Sequence, residues 1–478
     1  MRVLLLSQRS LLEANRCLEP RLLGLRILGD VLARATLYAP LLGALACGDL
    51  SHVILGTETR GGDGDSDDNG NGNGNGNGTT GRNGNDLDGS ELRLDLGPTI
   101  PQEPTDGIPY IWIANSPLGQ VSKINTDTMI EEGRFWTSED GHGDPSRTSV
   151  SIKGDVVVAN RKGGLVKIFG SSTNCPPGGL SSDGPNLVSA WPDKCVAWYL
   201  ATDFDSQRAV AWTSGETDPD SRITTNEKVW LAGEQENETG VTVMLVDGDS
   251  GIVERETTFV LTIDQDDSPG AKFPYRAYGG AVDRDSNFWF TTFGNDAVIV
   301  RVGRTDLSVD QWPKEHFSYG FTIDGEGRPW SCGVVLGRFD PDEGQWITRT
   351  PDAVGISRII GFDFGGCMAD AEERIWVPVR LDVTNTRFGV ASFDTETLDG
   401  ISIYELPNHV HGISIDNAGR VWGVTGTWTG SGTTDGSQAF RLDPDTGEFD
   451  TFSGLTGAYT YSDMTGFALN QTWIPREG

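Results

Sequence analysis

His411 is the residue of this chain best suited to acid–base chemistry. Histidine gains or loses a proton near neutral pH, so one imidazole beside a substrate can act as a general acid or base. His409 stands two residues earlier and could bind a metal ion together with His411. Such a pair needs a third ligand, and the sequence places no Cys, His or carboxylate for it. We therefore expect His411 as a candidate catalytic residue and no metal site.

The segment that begins at His411 recurs along the chain. Each copy has a short apolar run, a turn of the Asp-x-x-Gly kind and then a strand that contains Trp. In four copies an Asp precedes a Trp by six residues, and the Trp residues are 41, 46 and 46 positions apart; the pairs are Asp283 and Trp289, Asp324 and Trp330, Asp370 and Trp376, Asp416 and Trp422. We interpret the Asp residues as turn formers and the Trp residues as packing between sheets.

Three weaker copies bring the number of repeats to seven. They contain the segments 111–115, 156–160 and 229–231, and the first of them lacks an inner strand. The end of the chain offers one at 465–470. A repeat of this length with several short strands is typical of a propeller that joins its ends. We predict an all-β, seven-bladed β-propeller over 108–478, closed by a C-terminal strand. The alternative, an open β-solenoid, leaves the terminal strand unexplained.

A propeller would bring the residues at the His411 position together. Inner strands begin near the central axis, so these residues should converge at one mouth of the channel. By alignment of the repeats they are Thr148, Arg208, Tyr278, Tyr319, Gly365, His411 and Thr465. The set combines aromatic, cationic and titratable groups in a concave place, which is typical of a ligand-binding site. The alternative is a set of channel residues that bond to each other and to water.

The strongest repeat also resembles a known family. The stretch from His411 to Trp422, followed by the turn segment 440–447, is similar to the streptogramin B lyases, which are seven-bladed propellers. The resemblance implies the fold and His411 as the base. The family's magnesium ligands and its second His fall on His409, Thr425 and Gly365 here. Magnesium is therefore expected as a cofactor only if the chain is an enzyme of that kind.

The N-terminus has the pattern of an export signal. An apolar run from Leu37 to Ala46 is too short to span a bilayer and is typical of a signal peptide over residues 1–46. The following Cys47 resembles the lipidated Cys of bacterial lipoproteins, which predicts a membrane anchor. Ala44 and Ala46 also fit ordinary cleavage and secretion. Residues 47–107 are rich in Gly, Asn and Asp and predict a disordered tether.

Charge and cysteine content narrow the range of partners and compartments. A net charge of -32 opposes binding to nucleic acid. Two disulfides in an oxidising compartment would account for four of the six cysteines, namely Cys175, Cys195, Cys332 and Cys367. The alternative is four buried free thiols.

Two hypotheses about function follow from these patterns. The first is a monomeric binding module for a small molecule, glycan or protein, located in the cell envelope or outside the cell. It needs no cofactor and touches the membrane only through its lipid anchor. The second is a lyase- or lactonase-like enzyme with His411 as general base. The tether and the missing magnesium carboxylates favour the first.

Overall fold

The computed structural model describes residues 109–473 except 180, 183, 187, 189–190, 219–220, 222, 236–239, 263–275, 294–296 and 427–435. The predicted signal peptide, Cys47 and the predicted tether lie outside the described residues. The described part forms seven antiparallel sheets arranged as a seven-bladed β-propeller, which confirms the predicted fold. It contains no helix long and apolar enough to cross a membrane.

The first four blades follow the chain order. Blade 1 has β1 (Tyr110–Asn115), β2 (Gln120–Asn125) and β3 (Glu131–Trp136); blade 2 has β4 (Pro145–Val150), β5 (Val156–Asn160), β6 (Leu165–Ile168) and β7 (Val196–Leu200). Blade 3 has β8 (Ser206–Trp212), β11 (Lys228–Glu234), β12 (Gly240–Asp247) and β13 (Val253–Val260), with a short ribbon of β9 (Glu216–Thr217) and β10 (Thr224–Thr225). Blade 4 has β14 (Gly279–Val282), β15 (Phe288–Thr291), β16 (Ala297–Val302) and β17 (Val309–Lys314).

The last three blades carry the clearest repeats. Blade 5 has β18 (Ser318–Ile323), β19 (Pro329–Gly333), β20 (Leu336–Asp340) and β21 (Gln345–Arg349). Blade 6 has β22 (Gly361–Phe362) and β23 (Met368–Ala369), both paired with β24 (Arg374–Arg380), then β25 (Phe388–Asp394) and β26 (Gly400–Leu406). Blade 7 has β27 (Val410–Ile415), β28 (Val421–Thr425), β29 (Gln438–Leu442) and β30 (Phe449–Ser453). The helix α1 (Phe467–Trp473) follows, and short 3-10 turns lie at Ser116–Leu118 and Pro351–Ala353.

The burial of each strand depends on its distance from the axis. Inner and second strands such as β4 and β5 are buried along their whole length, because neighbouring blades cover both faces. The strand β5 is therefore a nearly continuous apolar run, whereas β4 consists of small residues and one buried arginine, Arg147. The outer strand β13 alternates between half-buried and exposed residues, since one of its faces meets solvent.

Each of the four Asp residues that precede a Trp by six positions does more than form a turn. Asp416 Oδ1 accepts backbone N–H groups of Ala418 and Arg420, both at 3.0 Å. Its Oδ2 accepts the Trp422 indole N–H at 2.9 Å and the Arg420 Nε–H at 2.7 Å. The same indole-to-carboxylate bond measures 2.7, 2.8 and 2.6 Å at Trp289, Trp330 and Trp376. We call this unit the Asp–Trp clasp.

The ring closes through a segment that the sequence analysis placed wrongly. Residues 465–470 do not form the closing strand, because α1 begins at Phe467. The segment 458–464 lies along β1 instead: Tyr459 N–H donates to Ala114 O at 3.2 Å, and Met464 O accepts from Trp112 N–H at 2.9 Å. Asp463 Oδ1 then accepts the N–H groups of the next turn, which ends the extended segment.

Both predicted disulfides are present. Cys175 and Cys195, with Cα atoms 4.6 Å apart, close a loop inserted between β6 and β7. Cys332 on β19 bonds to Cys367, which precedes β23, and so ties blade 5 to blade 6. The alternative of four free thiols is wrong. Structural disulfides of this kind indicate an oxidising environment.

The clasp predicts a large cost for the loss of one carboxylate. We expect Asp416→Ala to lower the free energy of unfolding by about 3 kcal/mol, because a buried indole N–H and a guanidinium lose their acceptor. Asp443→Ala is the matched control. Asp443 Oδ1 also accepts two backbone N–H groups, at 2.9 and 3.1 Å, but this Asp is partly exposed, unlike Asp416, and its described hydrogen bonds are to backbone groups of its own turn. We expect it to cost about 1 kcal/mol or less. If urea denaturation shows equal losses of unfolding free energy for the two variants, the proposed role of the clasp is wrong.

Candidate functional site

Strand pairing identifies which residues meet at the channel axis. Ser414 lies opposite Trp422, and Thr322 lies opposite Trp330; His411 and Tyr319 are each three residues earlier. Applying the same register to every blade gives Ser146, Arg208, Tyr278, Tyr319, Gly365 and His411, and the closing segment supplies Tyr461. We call these seven positions the channel ring. Four of the predicted mouth residues with side chains therefore belong to it: Arg208, Tyr278, Tyr319 and His411.

Thr148 and Thr465 lie outside the channel ring. The pairing of Ser149 with Val157 puts Ser146, and not Thr148, at the ring position of β4. Thr148 instead exchanges hydrogen bonds with Ser462, with N···Oγ at 3.0 Å and Oγ···O at 2.7 Å. Thr465 Oγ1 donates to Ile415 O at 2.5 Å. Both residues hold the closing segment in place.

Tyrosine side chains fill the channel at the level of the ring. Tyr319 Oη lies 3.2 Å from His411 Nε2 and also forms a hydrogen bond with Tyr459 Oη. Tyr278 Oη lies 3.4 Å from the same Tyr459 oxygen. The ring of Tyr461 packs 4.7 Å from that of Tyr319, centroid to centroid. Three hydroxyls therefore meet at Tyr459, and the channel is closed beneath it.

Arg147 was not predicted, yet it is the most deeply buried cation of the site. Its guanidinium carbon lies 3.1 Å from the Tyr461 ring centre and 5.0 Å from that of Tyr278. Nη1 donates to Ser146 O at 3.1 Å, whereas Nε and Nη2 have no hydrogen-bond partner among the described residues. Burial lowers the pKa of Arg147 to about 9. Arg208 lies nearby, 5.2 Å from the Tyr278 ring centre. Aromatic faces compensate part of the cost of burying these cations.

His411 is placed poorly for contact with a substrate. Its side chain is fully buried, and the Tyr459 ring lies 4.8 Å from the imidazole ring. Burial, followed by the charges of His409 and Arg147, holds the pKa of His411 well below its usual value. The imidazole is therefore neutral at physiological pH. It can take part in a hydrogen-bond chain, but a bulky substrate would have to displace Tyr459 to reach it.

A carboxylate that the repeat pattern does not predict lies beside the second histidine. Asp363 Oδ2 lies 2.9 Å from His409 Nε2, and both side chains are buried. Asp363 follows β22 in a stretch that matches no other repeat, so periodicity could not place it. Within the described ranges, no group of three or more His, Cys, Asp or Glu residues is arranged to hold a metal ion.

Half-buried aromatic rings form the floor of the mouth above the channel ring. They are Phe293, Phe317, Phe364 and Tyr459, and we call them the aromatic floor. The ring centroids of Phe293 and Phe317 are 5.0 Å apart, and those of Phe317 and Phe364 are 5.3 Å apart, all edge to face. The Arg161 guanidinium lies 4.8 Å from the Tyr459 ring centre and is paired with Asp144. These loop residues carry no repeat signal in the sequence.

A second feature lies near the other end of the inner strands. A small cavity of about 30 Å³ there is lined by side chains that include Ser149, Thr322, Met368, Asp463 and Leu469. Burial raises the pKa of Asp463 to about 6, although backbone N–H groups of the next turn oppose this shift. The helix α1 begins four residues later and supplies Leu469.

Comparisons with known proteins add little beyond the architecture. No protein-family model and no curated protein matches the chain. A streptogramin B lyase structure aligns with 66% of this chain and 86% of its own at 15% identity, with a TM-score of 0.40. Dihydro-heme d1 dehydrogenase NirN aligns with 75% of this chain and 66% of its own at 11% identity, with a TM-score of 0.41. The WD40 propeller domain of Doa1 covers 68% of this chain and 87% of its own at 9% identity, also with a TM-score of 0.41.

The raised pKa of Asp463 predicts that the free energy of unfolding depends on pH. Its pKa is about 6 in the folded chain and about 3.9 in an unfolded one. Its stabilising contribution is therefore complete below about pH 4 and is lost as the pH rises through about 6. We expect Asp463→Asn, which keeps an acceptor oxygen, to be more stable than wild type at about pH 8 by about 2 kcal/mol, and no more stable at about pH 4.

Urea denaturation of both proteins at the two pH values measures this difference. Asp443→Asn, at an exposed turn, is the control and should show no stabilisation at the higher pH. If Asp463→Asn is less stable than wild type at both pH values, the carboxylate is ionised and satisfied in the folded protein, and the interpretation is wrong.

Proposed function

We propose that the chain is an exported binding module that holds its ligand on the aromatic floor. The observation that carries this proposal is that the half-buried rings rest on a channel already filled by Tyr278, Tyr319 and Tyr461. The hydroxyls of Tyr278 and Tyr319 are also held by hydrogen bonds. Such a floor is ordered before a ligand arrives, so little conformational entropy is lost on binding. Sites of this kind are largely apolar with a few polar groups at fixed positions.

The side chains at the aromatic floor and beside it favour a ligand with one apolar face and a polar rim. Phe293, Phe317 and Phe364 offer ring faces and edges for stacking, and the pair of Arg161 and Asp144 offers a donor and an acceptor at the side. A sugar ring or the aromatic side chain of a partner protein meets both requirements. We therefore favour a glycan or a protein segment over a larger apolar molecule.

The position of His411 supports binding rather than catalysis by that residue. A general base must lie within hydrogen-bond reach of the proton it removes. His411 is fully buried beside the Tyr459 ring, and its Nε2 lies 3.2 Å from the Tyr319 hydroxyl. A lyase reaction with His411 as base would need the closing segment to move.

The proposal includes export and membrane attachment through Cys47. A tether of the composition found in 47–107 would let a binding module reach away from the bilayer surface. The two disulfides favour an oxidising compartment, as the cell envelope and the exterior are.

Substitution of the floor should abolish binding without unfolding the propeller. We expect Phe364→Ala to weaken binding of the best ligand on a glycan and peptide array by about tenfold or more, because half-buried rings at a site centre carry much of the binding energy. Phe449→Ala removes a partly exposed ring on β30 and is the matched control. Full binding by Phe364→Ala would refute the site. Turnover of a lactone or cyclic depsipeptide that His411→Ala abolishes would refute the binding-module proposal.

Lipid attachment predicts a defined mature N-terminus. Mass spectrometry of the protein from a bacterial host should find Cys47 as the first residue, carrying acyl chains, and Cys47→Ala should leave the protein unacylated and released from the membrane fraction. An unmodified Cys47 at a cleaved terminus would support secretion instead. An uncleaved leader would contradict export by either route.

A further inference from the structure

The inner strand of blade 6 departs from those of blades 5 and 7 at its middle. Phe362 lies opposite Val379 and Met368 lies opposite Trp376, so six steps along the inner strand face three steps along β24, and three residues are extra. The inner strands of blades 5 and 7 carry one extra residue each at the corresponding place. Bulges often re-aim a side chain beside a binding or active site. We call the segment 363–367 the Phe364 loop.

The Phe364 loop is fixed at both ends to neighbouring blades. At its start, Asp363 Oδ2 lies 2.9 Å from His409 Nε2, next to the inner strand of blade 7, and both side chains are buried. At its end, Cys367 is bonded to blade 5 through its disulfide. Between them, the Gly366 N–H donates to His411 O at 2.7 Å. Links to two blades therefore hold the loop in one arrangement before a ligand arrives.

One side chain of the loop reaches the mouth. Phe364 is partly exposed, whereas the other four residues of the loop are buried. Its ring centroid lies 5.3 Å from that of Phe317, which lies 5.0 Å from that of Phe293. The extra residues of blade 6 thus add a ring to the aromatic floor, at a place where the regular repeat would supply none.

We propose that the Phe364 loop selects an aromatic side chain of a bound protein segment, and that Asp363 and His409 position the loop for this. The selection rests on the proposed function, whereas the positioning can be tested without any ligand. Asp363 and His409 are positioning residues, because both are buried and act on a ligand through Phe364.

The ring geometry of the floor favours an aromatic partner. The planes of Phe364 and Phe317 meet at 81°, and those of Phe317 and Phe293 meet at 76°. This order is favourable because the positive edge of one ring meets the negative face of the next. A ligand ring that continues the order gains the same attraction, whereas a saturated ring of equal size gains apolar contact alone. Phenyl rings give no hydrogen bonds to the many hydroxyl groups of a sugar, so we favour a protein segment over a glycan.

A peptide library tests the selection on the whole exported protein. The immobilised peptides have the sequence Gly-Ser-X-Ser-Gly, in which X is phenylalanine, tyrosine, tryptophan, leucine or cyclohexylalanine. We expect wild type to capture the phenylalanine peptide about fivefold better than the cyclohexylalanine peptide, the effect of one aromatic pair. Phe364→Leu keeps an apolar side chain but removes the ring, and should remove this preference. Phe449→Leu makes the same change at a partly exposed ring on β30 and should keep it.

Three results of this library would count against the selection. Equal capture of the two peptides by wild type, or a preference that persists in Phe364→Leu, would overturn it. Binding of wild type to a glycan of the array without capture of any aromatic peptide would also overturn it, but would keep the binding module. If wild type captures neither peptides nor glycans, the binding module itself is wrong, and the selection is wrong with it.

Amide hydrogen exchange followed by mass spectrometry tests the positioning without a ligand. We expect Asp363→Ala to speed exchange in the segment 363–367 by about tenfold or more, because the loop loses its link to His409. Asp363→Asn keeps an acceptor oxygen for His409 and should restore slow exchange. Asp144→Ala removes the carboxylate beside Arg161 and is the matched control, in which exchange in 363–367 should stay unchanged.

A second variant covers the case in which Asp363→Ala does not fold. Asp363→Leu combined with His409→Leu fills the same space with apolar side chains and also lacks the pair. In either variant the aromatic preference in the library should fall as in Phe364→Leu, and Asp363→Asn should recover it. Slow exchange in 363–367 of a folded variant that lacks the pair would overturn the positioning. Fast exchange in that variant, with no ligand captured by wild type, would support the positioning and refute the binding module.

Discussion

The hydrogen bond from each Trp indole to the carboxylate of its own blade's turn is the interaction on which the regular half of the propeller depends. It fixes the turn between the first two strands and the position of the second strand together. In blades 5 and 7 the Arg that shares the carboxylate extends the clasp to the next blade: Arg420 reaches Asp127 of blade 1 at 2.6 Å, and Arg328 reaches Glu396 of blade 6 at 2.5 Å. In these two blades one side-chain set thus holds the turn, the second strand and the neighbouring blade in register.

Close approach of the inner strands around the axis decides what the channel can contain. A Cβ at Gly412 would lie 2.1 Å from Thr460 O, and one at Gly320 would lie 2.5 Å from Gly365 O. Only glycine lets neighbouring strands come so near. The residue just before each glycine is His411 or Tyr319, and these two side chains meet at the axis. Because these side chains are large, the channel is filled by protein at this level, and the accessible surface moves up to the aromatic floor.

The parts that the sequence predicted are those that repeat. The Asp-to-Trp spacing sets the register of blades 4 to 7, so Tyr278, Tyr319 and His411 could be placed at one level of the axis. Blade 2 has no such spacing, so its ring position was predicted at Thr148, two residues from Ser146. Tyr459 and Tyr461 lie in a closing segment that occurs once, and Phe364 lies in a loop. Periodicity carries no information about such residues, although they complete the site.

Burial in the ring keeps some titratable groups neutral and leaves others charged. Desolvation disfavours every charged form, so it lowers the pKa of His411 and raises those of Tyr278 and Tyr319. Those three groups stay neutral and can only donate or accept hydrogen bonds. A guanidinium cannot escape in this way, because even the lowered pKa of Arg147 remains about 9. The cluster therefore keeps its positive charge, and the faces of Tyr278 and Tyr461 next to the guanidinium groups of Arg147 and Arg208 compensate part of its cost. His411, the residue whose type suits acid–base chemistry, is therefore kept neutral by the same burial that lets it complete the hydrogen bonds of the filled channel.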